Sequence, residues 1–449
     1  MKKRFLWASV SALSIGVVGC GVSNSANNAN SSGTTSITVE MEQGNPPSTT
    51  KKFLNQVVVG FEKKYPNIKV NIETYPGSPA NLVDTMVASH QGPNVLEIGT
   101  TFIPTLAFSK AFVPWTQEMQ NKVVPSLIPT ATKMDGIPGQ LPIGIPDSAS
   151  PFVLWYNKKL FQQSGISSPP KTWTEFIQDA KKINDPAKGV YGAAIASADP
   201  FYSMHVTWLL SRQLGGEVIN SAGTQAQFSS PPVYKAVQFY VDWLKKYHIV
   251  SPADVQYQEA DMINAFMQGK IGMIPVGGIY DLTTLKADPQ FVNNDLGVAP
   301  NPTIPYGMTS TPPGGLPTES FLSGQEQVIF KYSTPAQISA SEKWIQYYTS
   351  PQIQANMWKE YGDLPVNINS FKLVPELQSP MWKAFLSIEN HSNPTPLVSG
   401  WLQLPTVYDK ALSTVFDDIA LNHYTTGQLS QTLKSVDSQI DNTLAQLKG

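Results

Sequence analysis

Hydrophobic and polar positions alternate from Ile37 to Glu42 (ITVEME), the period of a half-buried strand. Leu54, Val57, Val58 and Phe61 then recur at helical spacing. Pro66 and Asn67 introduce a second strand, Ile68 to Ile72, followed by a proline-bounded helix from Ala80 to Ser89 and a third strand from Asn94 to Gly99. Strands separated by helices in this order predict a parallel sheet with helical crossovers. In open sheets of that kind a ligand lies at the carboxyl ends of the strands, here Met41 to Gly44 and Ile98 to Thr101.

A second α/β set begins at Phe152 with an apolar run, FVLWYN. Thr172 and Glu175 have capping-box spacing and open a helix with Trp173, Phe176, Ile177 and Ala180 on one face. Another helix starts at Ser230-Pro231 and places Val233, Val237, Tyr240, Val241 and Leu244 on one stripe. A helix over Glu259 to Gln268, stopped by Gly269, leads into a strand from Ile271 to Val276. The Pro-, Gly- and Thr-rich stretch between Gly297 and Leu322 reads as a crossing or loop, Val328 to Phe330 as a short strand, and the remainder as mainly helical. The pattern contains no internal repeat.

The amino terminus departs from this pattern. Lys2, Lys3 and Arg4 precede an apolar run from Phe5 to Gly19, the layout of an export signal and too short for a membrane span. The run ends in Val17-Val18-Gly19-Cys20 and so resembles a bacterial lipobox, which implies diacylglyceration of Cys20 and cleavage before it. Cys20 is the single cysteine of the chain, so a disulfide framework is excluded. From Gly21 to Ser36 the residues are small and polar, a flexible tether.

The chain of 449 residues, 41% apolar, is long enough for two lobes. Its formal net charge of -2 gives no electrostatic footprint for nucleic acid. Only 14% of residues are charged, while 37 prolines, 10 Trp, 17 Tyr and 19 Phe suit a secreted, loop-rich binder.

Several segments in order along the chain resemble the extracellular solute-binding proteins, family 1, the sugar-binding lipoproteins of ABC importers. They are FEKKYPNIKV (Phe61 to Val70), PNVLEIGT (Pro93 to Thr100), PPKTWTEF (Pro169 to Phe176), Gly189 to Gly192, Leu214 to Glu217, AFMQGKIGM (Ala265 to Met273), YTSPQIQ (Tyr348 to Gln354) and YGDLPV (Tyr361 to Val366). The resemblance implies an α/β periplasmic-binding-protein-like (Venus flytrap) fold with two lobes, three hinge crossings and a ligand in the cleft. By analogy residues 1–19 are the signal peptide and 20–36 the lipidated cysteine and linker. Lobe 1 takes 37–146 and about 297–349, and lobe 2 takes 147–296 and about 350–449. The crossings then fall at Ile145 to Ser148, before Leu322, and at Thr349-Ser350. A sugar ligand, ABC permease subunits, a monomeric state and a lipid anchor on the outer face of the cytoplasmic membrane, or its periplasmic side, belong to the same implication.

A sugar carries hydroxyls around its rim and weakly apolar C–H faces, so acids and amides suit the rim and aromatic rings the faces. Rim candidates at strand ends and crossings are Glu42, Gln43, Thr100, Thr101, Asp147, Ser148, Gln325 and Asp363. Candidate platforms are Phe201, Tyr202, Trp208, Tyr280, Tyr361 and Trp401, of which Trp208 suits a core equally well. The five histidines share no metal-ligand spacing, and neither a nucleophile elbow nor a phosphate loop occurs, so no metal or other cofactor and no catalytic residue is expected. Two readings stay open beside a sugar binder: a surface glycosidase or polysaccharide lyase built on two carboxylates, and a binder of a peptide or polyamine on the same scaffold.

Overall fold

The computed structural model describes residues 33–43, 47–76, 80–199, 201–278, 288–398 and 400–446. The signal, Cys20, most of the tether and Tyr280 lie outside the described residues.

The alternating amino-terminal segment is β1 (Thr35–Glu42), with Ile37, Val39 and Met41 buried on one face. The helix Pro47–Lys64 buries Phe53, Leu54, Val57 and Phe61 and carries Lys63 and Lys64 at its negative end. After it come β2 (Ile68–Tyr75), the helix Ala80–Ser89 and β3 (Val95–Gly99), with β1 parallel to both β2 and β3. The expected β-α-β-α-β unit is therefore present. Three later strands complete this sheet: β4 (Ile145–Ala149), β9 (Gly324–Ile329) and β10 (Leu364–Pro365), in the order β10-β4-β9-β3-β1-β2. β9 runs antiparallel between β3 and β4 and occupies the middle of the sheet.

The second sheet has the order β6-β7-β5-β8, built from β5 (Val153–Asn157), β6 (Tyr191–Ala193), β7 (Ile271–Gly277) and β8 (Leu296–Ala299). The predicted capping box of Thr172 and Glu175 opens the helix Trp173–Ile183. Trp173 and Phe176 pack against Trp243 of the helix Pro231–Lys245, with ring centroids 5.8 and 5.1 Å apart. Trp173 donates through Nε1 to Gln213 (2.7 Å), whose own amide donates to the carbonyls of Pro302 (2.7 Å) and Thr318 (2.9 Å).

These bonds correct the expected crossings. β4, with Asp147 and Ser148, lies wholly in the first sheet, so the first crossing is residues 150–152. The Pro-rich stretch after Gly297 does not leave the second lobe at once, because β8 pairs with β5 and Gln213 holds Pro302 and Thr318 there. The chain crosses only at residues 320–323, just before β9. Nor does it cross at Thr349-Ser350. The helix Pro351–Tyr361 packs on Pro47–Lys64, and its Gln354 binds the Asp147 carbonyl (2.9 Å) and the Val366 amide (3.0 Å). The third crossing follows near Pro375–Gln378, ahead of the helix Pro380–Asn390 that packs on β8.

The first two crossings run side by side. Ser150 N–H donates to the Ser323 carbonyl (2.9 Å), Phe152 N–H to Ser320 Oγ (2.8 Å), and the rings of Phe152 and Phe321 stack at 3.9 Å. Asn301, buried just after β8, ties both to the second sheet. Its amide donates to the carbonyls of Phe152 (3.0 Å) and Glu319 (2.8 Å), and its oxygen accepts from Val276 N–H (3.0 Å). Asn301→Ala strands three buried backbone groups and should lower unfolding stability by about 2–4 kcal/mol, read from the urea midpoint.

Candidate functional site

Strand direction brings the rim candidates to one edge. β1, β3 and β4 end there and β9 and β10 start there, which collects Glu42, Thr100, Ser148, Gln325 and Asp363. Across the paired crossings, β6 and β7 end and β5 starts on the side nearer the first sheet, which places residues 197–199, 201, 202 and Asn301 there. The two sheet edges thus lie on either side of the paired crossings.

On the first-lobe side the carboxylate of Glu42 accepts from Gln325 Nε2. The Glu42 N–H donates to Glu97 Oε2 (2.7 Å), and Gln325 N–H to Ser148 Oγ (3.0 Å). Beneath this rim Gln327 donates to Asp147 Oδ2 (2.7 Å) and is itself held by Trp344 Nε1 (3.1 Å), while the Tyr75 hydroxyl donates to the Glu97 carbonyl (2.6 Å). Gln43 is fixed through its N–H to the Tyr75 carbonyl (2.8 Å), and Thr100 and Thr101 form a single tight turn after β3.

Two carboxyl pairs underlie the rim, Glu97 with Asp147 and Asp135 with Glu326, all four groups being buried. Burial, then the neighbouring acid, pushes Glu97 and Asp135 well above the usual carboxylate range. Asp147 is raised to about 6 by burial, held back by Gln327 and Glu97. Glu42 is raised to about 7, chiefly by burial; Gln325 opposes the shift, while Asp363 and Asp147 add to it. Among the described residues no ion pair joins any of the four to a base, so burial favours their protonated forms. Asp147 is thus a buried strut of the sheet rather than an exposed rim group.

On the second-lobe side Phe201 is 40% exposed at the head of the helix Tyr202–Gln213. Asp199 Oδ1 accepts from the N–H groups of Phe201 and Tyr202 (3.0 Å each) and so fixes the turn. Behind Phe201 lies His205, whose ring centroid is 4.3 Å from Phe321 and 5.0 Å from Phe152; burial lowers its pKa to about 3, leaving it neutral. Three expected platforms are core instead. Tyr202, Trp208 and Trp401 are 2%, 1% and 3% exposed. The helix Tyr202–Gln213 is covered by Pro231–Lys245, β7 and the helix Gln403–Ala420, so its aromatic rings turn inward; the Tyr202 hydroxyl binds the Pro275 carbonyl (2.9 Å). Tyr361 ends its helix beside Gly362 and Asp363.

Sequence reasoning missed His205, Asp199 and Asn301 and the acids Glu97, Asp135 and Glu326. Glu97 carried a signal, a lone charge inside the apolar run VLEIG, whereas the partners of Asp135 and Glu326 are set by tertiary pairing alone.

The family model for bacterial extracellular solute-binding proteins matches residues 43–355. The maltodextrin-binding protein MdxE of Bacillus subtilis is 23% identical over 435 residues, covering 93% of this chain and 92% of its own. The sugar-binding protein MalE of Xanthomonas citri superposes with a TM-score of 0.74 at 22% identity, covering 92% of this chain and 98% of its own. A solute-binding protein of Thermotoga lettingae, solved with α-D-tagatose, gives 0.72 at 22% identity over 91% of this chain and 100% of its own.

The raised acids fix a sign for the pH dependence. An unfolded carboxyl titrates near about 4, so the folded chain holds the extra protons above that value. The stability they contribute is complete below it and is lost as pH rises through about 6 for Asp147 and about 7 for Glu42. The melting temperature should fall by several degrees between about pH 5 and about pH 8, and Glu326→Gln, which lets its pair do without a shared proton, should flatten that fall.

Proposed function

The chain belongs to the bacterial extracellular solute-binding protein family, and on that footing we propose that it captures a mono- or oligosaccharide between its lobes and delivers it to an ABC permease. The observation that carries this reading is Phe201, a ring left 40% exposed at the mouth of one sheet. In this reading it looks across the paired crossings to the edge of the other sheet, where Glu42, Gln325 and Asp363 lie and Ser148 is buried behind them. A sugar between them stacks on the ring and meets the acids and amides with its hydroxyls. Thr101, Tyr361 and Tyr280 belong to the same proposed rim and platform set.

Ligand favours a closed form only through contacts made to both lobes at once. In this reading rotation takes place at residues 150–152 and 320–323 and the third crossing, the segments that link the two sheets. If the doubly contacting ligand prefers the closed form by about 3–5 kcal/mol, the population swings by about two to four decades. The permease then reads the shape, through surfaces on both lobes at the cleft mouth. Cys20, outside the described residues, is proposed as the lipidated anchor that keeps the chain at the outer face of the membrane. Among the described residues no helix is long and apolar enough to cross a membrane. No bond of the guest is broken in this cycle.

In a thermal-shift screen of sugars, peptides and polyamines, a saccharide should raise the melting temperature, and scattering should show a smaller radius of gyration on its addition. Phe201→Ala should weaken that saccharide's binding about tenfold or more while moving the unliganded stability by no more than about 0.5 kcal/mol. A scattering profile identical with and without the saccharide, or release of reducing ends from it, defeats the reading.

A further inference from the structure

Resting on the reading of Cys20 as a lipid anchor, we propose that the first lobe has a second surface, at the sheet edge opposite Glu42. That surface lies on the membrane and holds the phosphate headgroup of an anionic phospholipid among Lys110, Lys331 and His90.

Topology gathers the surface. β1, β2 and β3 start at this edge and β9 ends there, with Thr35 beside Ile68 and Val95 beside Ile329. The helices that bring the chain back to it close on basic residues: Lys63 and Lys64 in Pro47–Lys64, His90 after Ala80–Ser89, and Lys110 after Ile103–Ser109. Lys331 stands two residues beyond β9, and its N–H donates to the Ala111 carbonyl (2.8 Å). Between these segments opens a cavity of about 370 Å³, lined by His90, Ser109, Lys110, Lys331 and Tyr332 among others, and none of the described residues lining it is acidic. Lys331 Nζ donates to the Lys110 carbonyl (2.7 Å), which leaves its other two hydrogens for a guest. His90 and Lys110 both take the left-handed backbone (φ 56° each) in which a helix usually ends on glycine, so each keeps its basic side chain at a conformational cost. Asp84, two turns back in its helix, and Glu40, whose charge is felt at Tyr332, lie outside the lining. Phe108, next to Ser109 and Lys110, is 46% exposed, and Leu141, just ahead of β4, is 59% exposed.

The chain enters the fold at the same edge. Thr35 N–H donates to the Asn67 carbonyl (2.9 Å) and Gln337 Nε2 to the Ser36 carbonyl (3.2 Å). The Asn94 side chain accepts from Thr38 N–H (2.8 Å) and donates to Ser333 Oγ (2.9 Å), beside Tyr332, and so ties the first residues of β1 to the cavity wall. Cys20 lies about 15 residues before β1, a covalent reach of at most about 50 Å, so an anchored chain meets the bilayer by this edge and at a high local concentration of headgroups. A phosphodiester offers one negative charge and two free acceptor oxygens, which two ammonium groups and an imidazole can bind. The formal charge of the chain is -2, so its attraction to an anionic surface has to be local, and this cavity supplies it. Exposed apolar side chains beside the basic groups favour a lipid over free phosphate, because they enter the interface while the ammonium heads stay at headgroup level. Lying on this edge turns the Glu42 edge outward, toward arriving solute. Docking on a permease by the cleft mouth then requires the membrane contact to let go.

The test is lysine footprinting of the whole protein, purified from membranes and placed on vesicles of neutral phosphatidylcholine or on vesicles enriched in phosphatidylglycerol. We expect amine labelling of Lys110 and Lys331 to fall about threefold or more on the anionic vesicles and to recover at high salt. Lys63, at the same edge, should share the protection, while Lys188 of the second lobe is labelled alike on both. In the double variant Lys110→Gln, Lys331→Gln, the protection of Lys63 should disappear with the melting temperature unchanged. Equal labelling on the two kinds of vesicle, or protection of Lys63 that survives the double substitution, overturns the proposal. Equal protection by inorganic phosphate on neutral vesicles also overturns it, since the cavity is then a site for the free ion. A mass showing no acyl chains on Cys20 overturns the anchor reading alone, and the same comparison with vesicles added to that unanchored chain decides the surface.

Discussion

The first two of the three crossings between the lobes share a single buried carboxamide. Asn301 bonds to Phe152 in one crossing, to Glu319 at the head of the other, and to Val276 at the end of β7. It can do so because a carboxamide both donates twice and accepts, and because its position just after β8 puts it beside β5 and β7 together. The stacked rings of Phe152 and Phe321 and the neutral His205 are laid on that frame, and Phe201 lies on the outside of the stack. Each lobe can therefore be rigid while the joint between them stays narrow.

The first lobe is organised around a different constraint. Its sheet and the turn at Asp135 bring Glu97, Asp147, Asp135 and Glu326 into the interior with no ion pair to them among the described residues, and burial holds them toward their protonated forms. The half-buried rim inherits the result. Glu42 is positioned by Glu97 through its N–H and by Gln325 through its carboxylate, so the acidity of the cleft is set one layer below its surface.

Much of this was legible in the chain. The alternation at 37–42, the apolar spacing after Leu54 and the capping box at Thr172 and Glu175 located their elements, because periodicity and caps are local properties. The crossings were not legible, since they are decided by which strand pairs with which: β8 with β5, and β10 with β4. The meeting of Glu42, Ser148 and Gln325 at one sheet edge followed from strand ends and topology. Aromatic platforms did not, because Trp208 and Trp401 have the same residue type and loop or helix context whether they face solvent or core, and only tertiary cover settles it. Buried acids were hidden for a related reason, as charge alone in a sequence implies exposure.

The placement of β9 carries a consequence for how the chain acquires its shape. β3 and β4 are synthesised long before the strand that must lie between them, and until Gly324–Ile329 arrives each has an open edge. Neither lobe is a finished unit until the carboxyl-terminal part is made: the first waits for β9, and the second, whose strands β5 to β8 are contiguous, waits for the helices Pro380–Asn390 and Gln403–Ala420 that cover β8 and Tyr202–Gln213. A polypeptide interrupted before then would hold two halves with uncovered edges and faces, a natural substrate for chaperones and for threading through a narrow channel before it hardens.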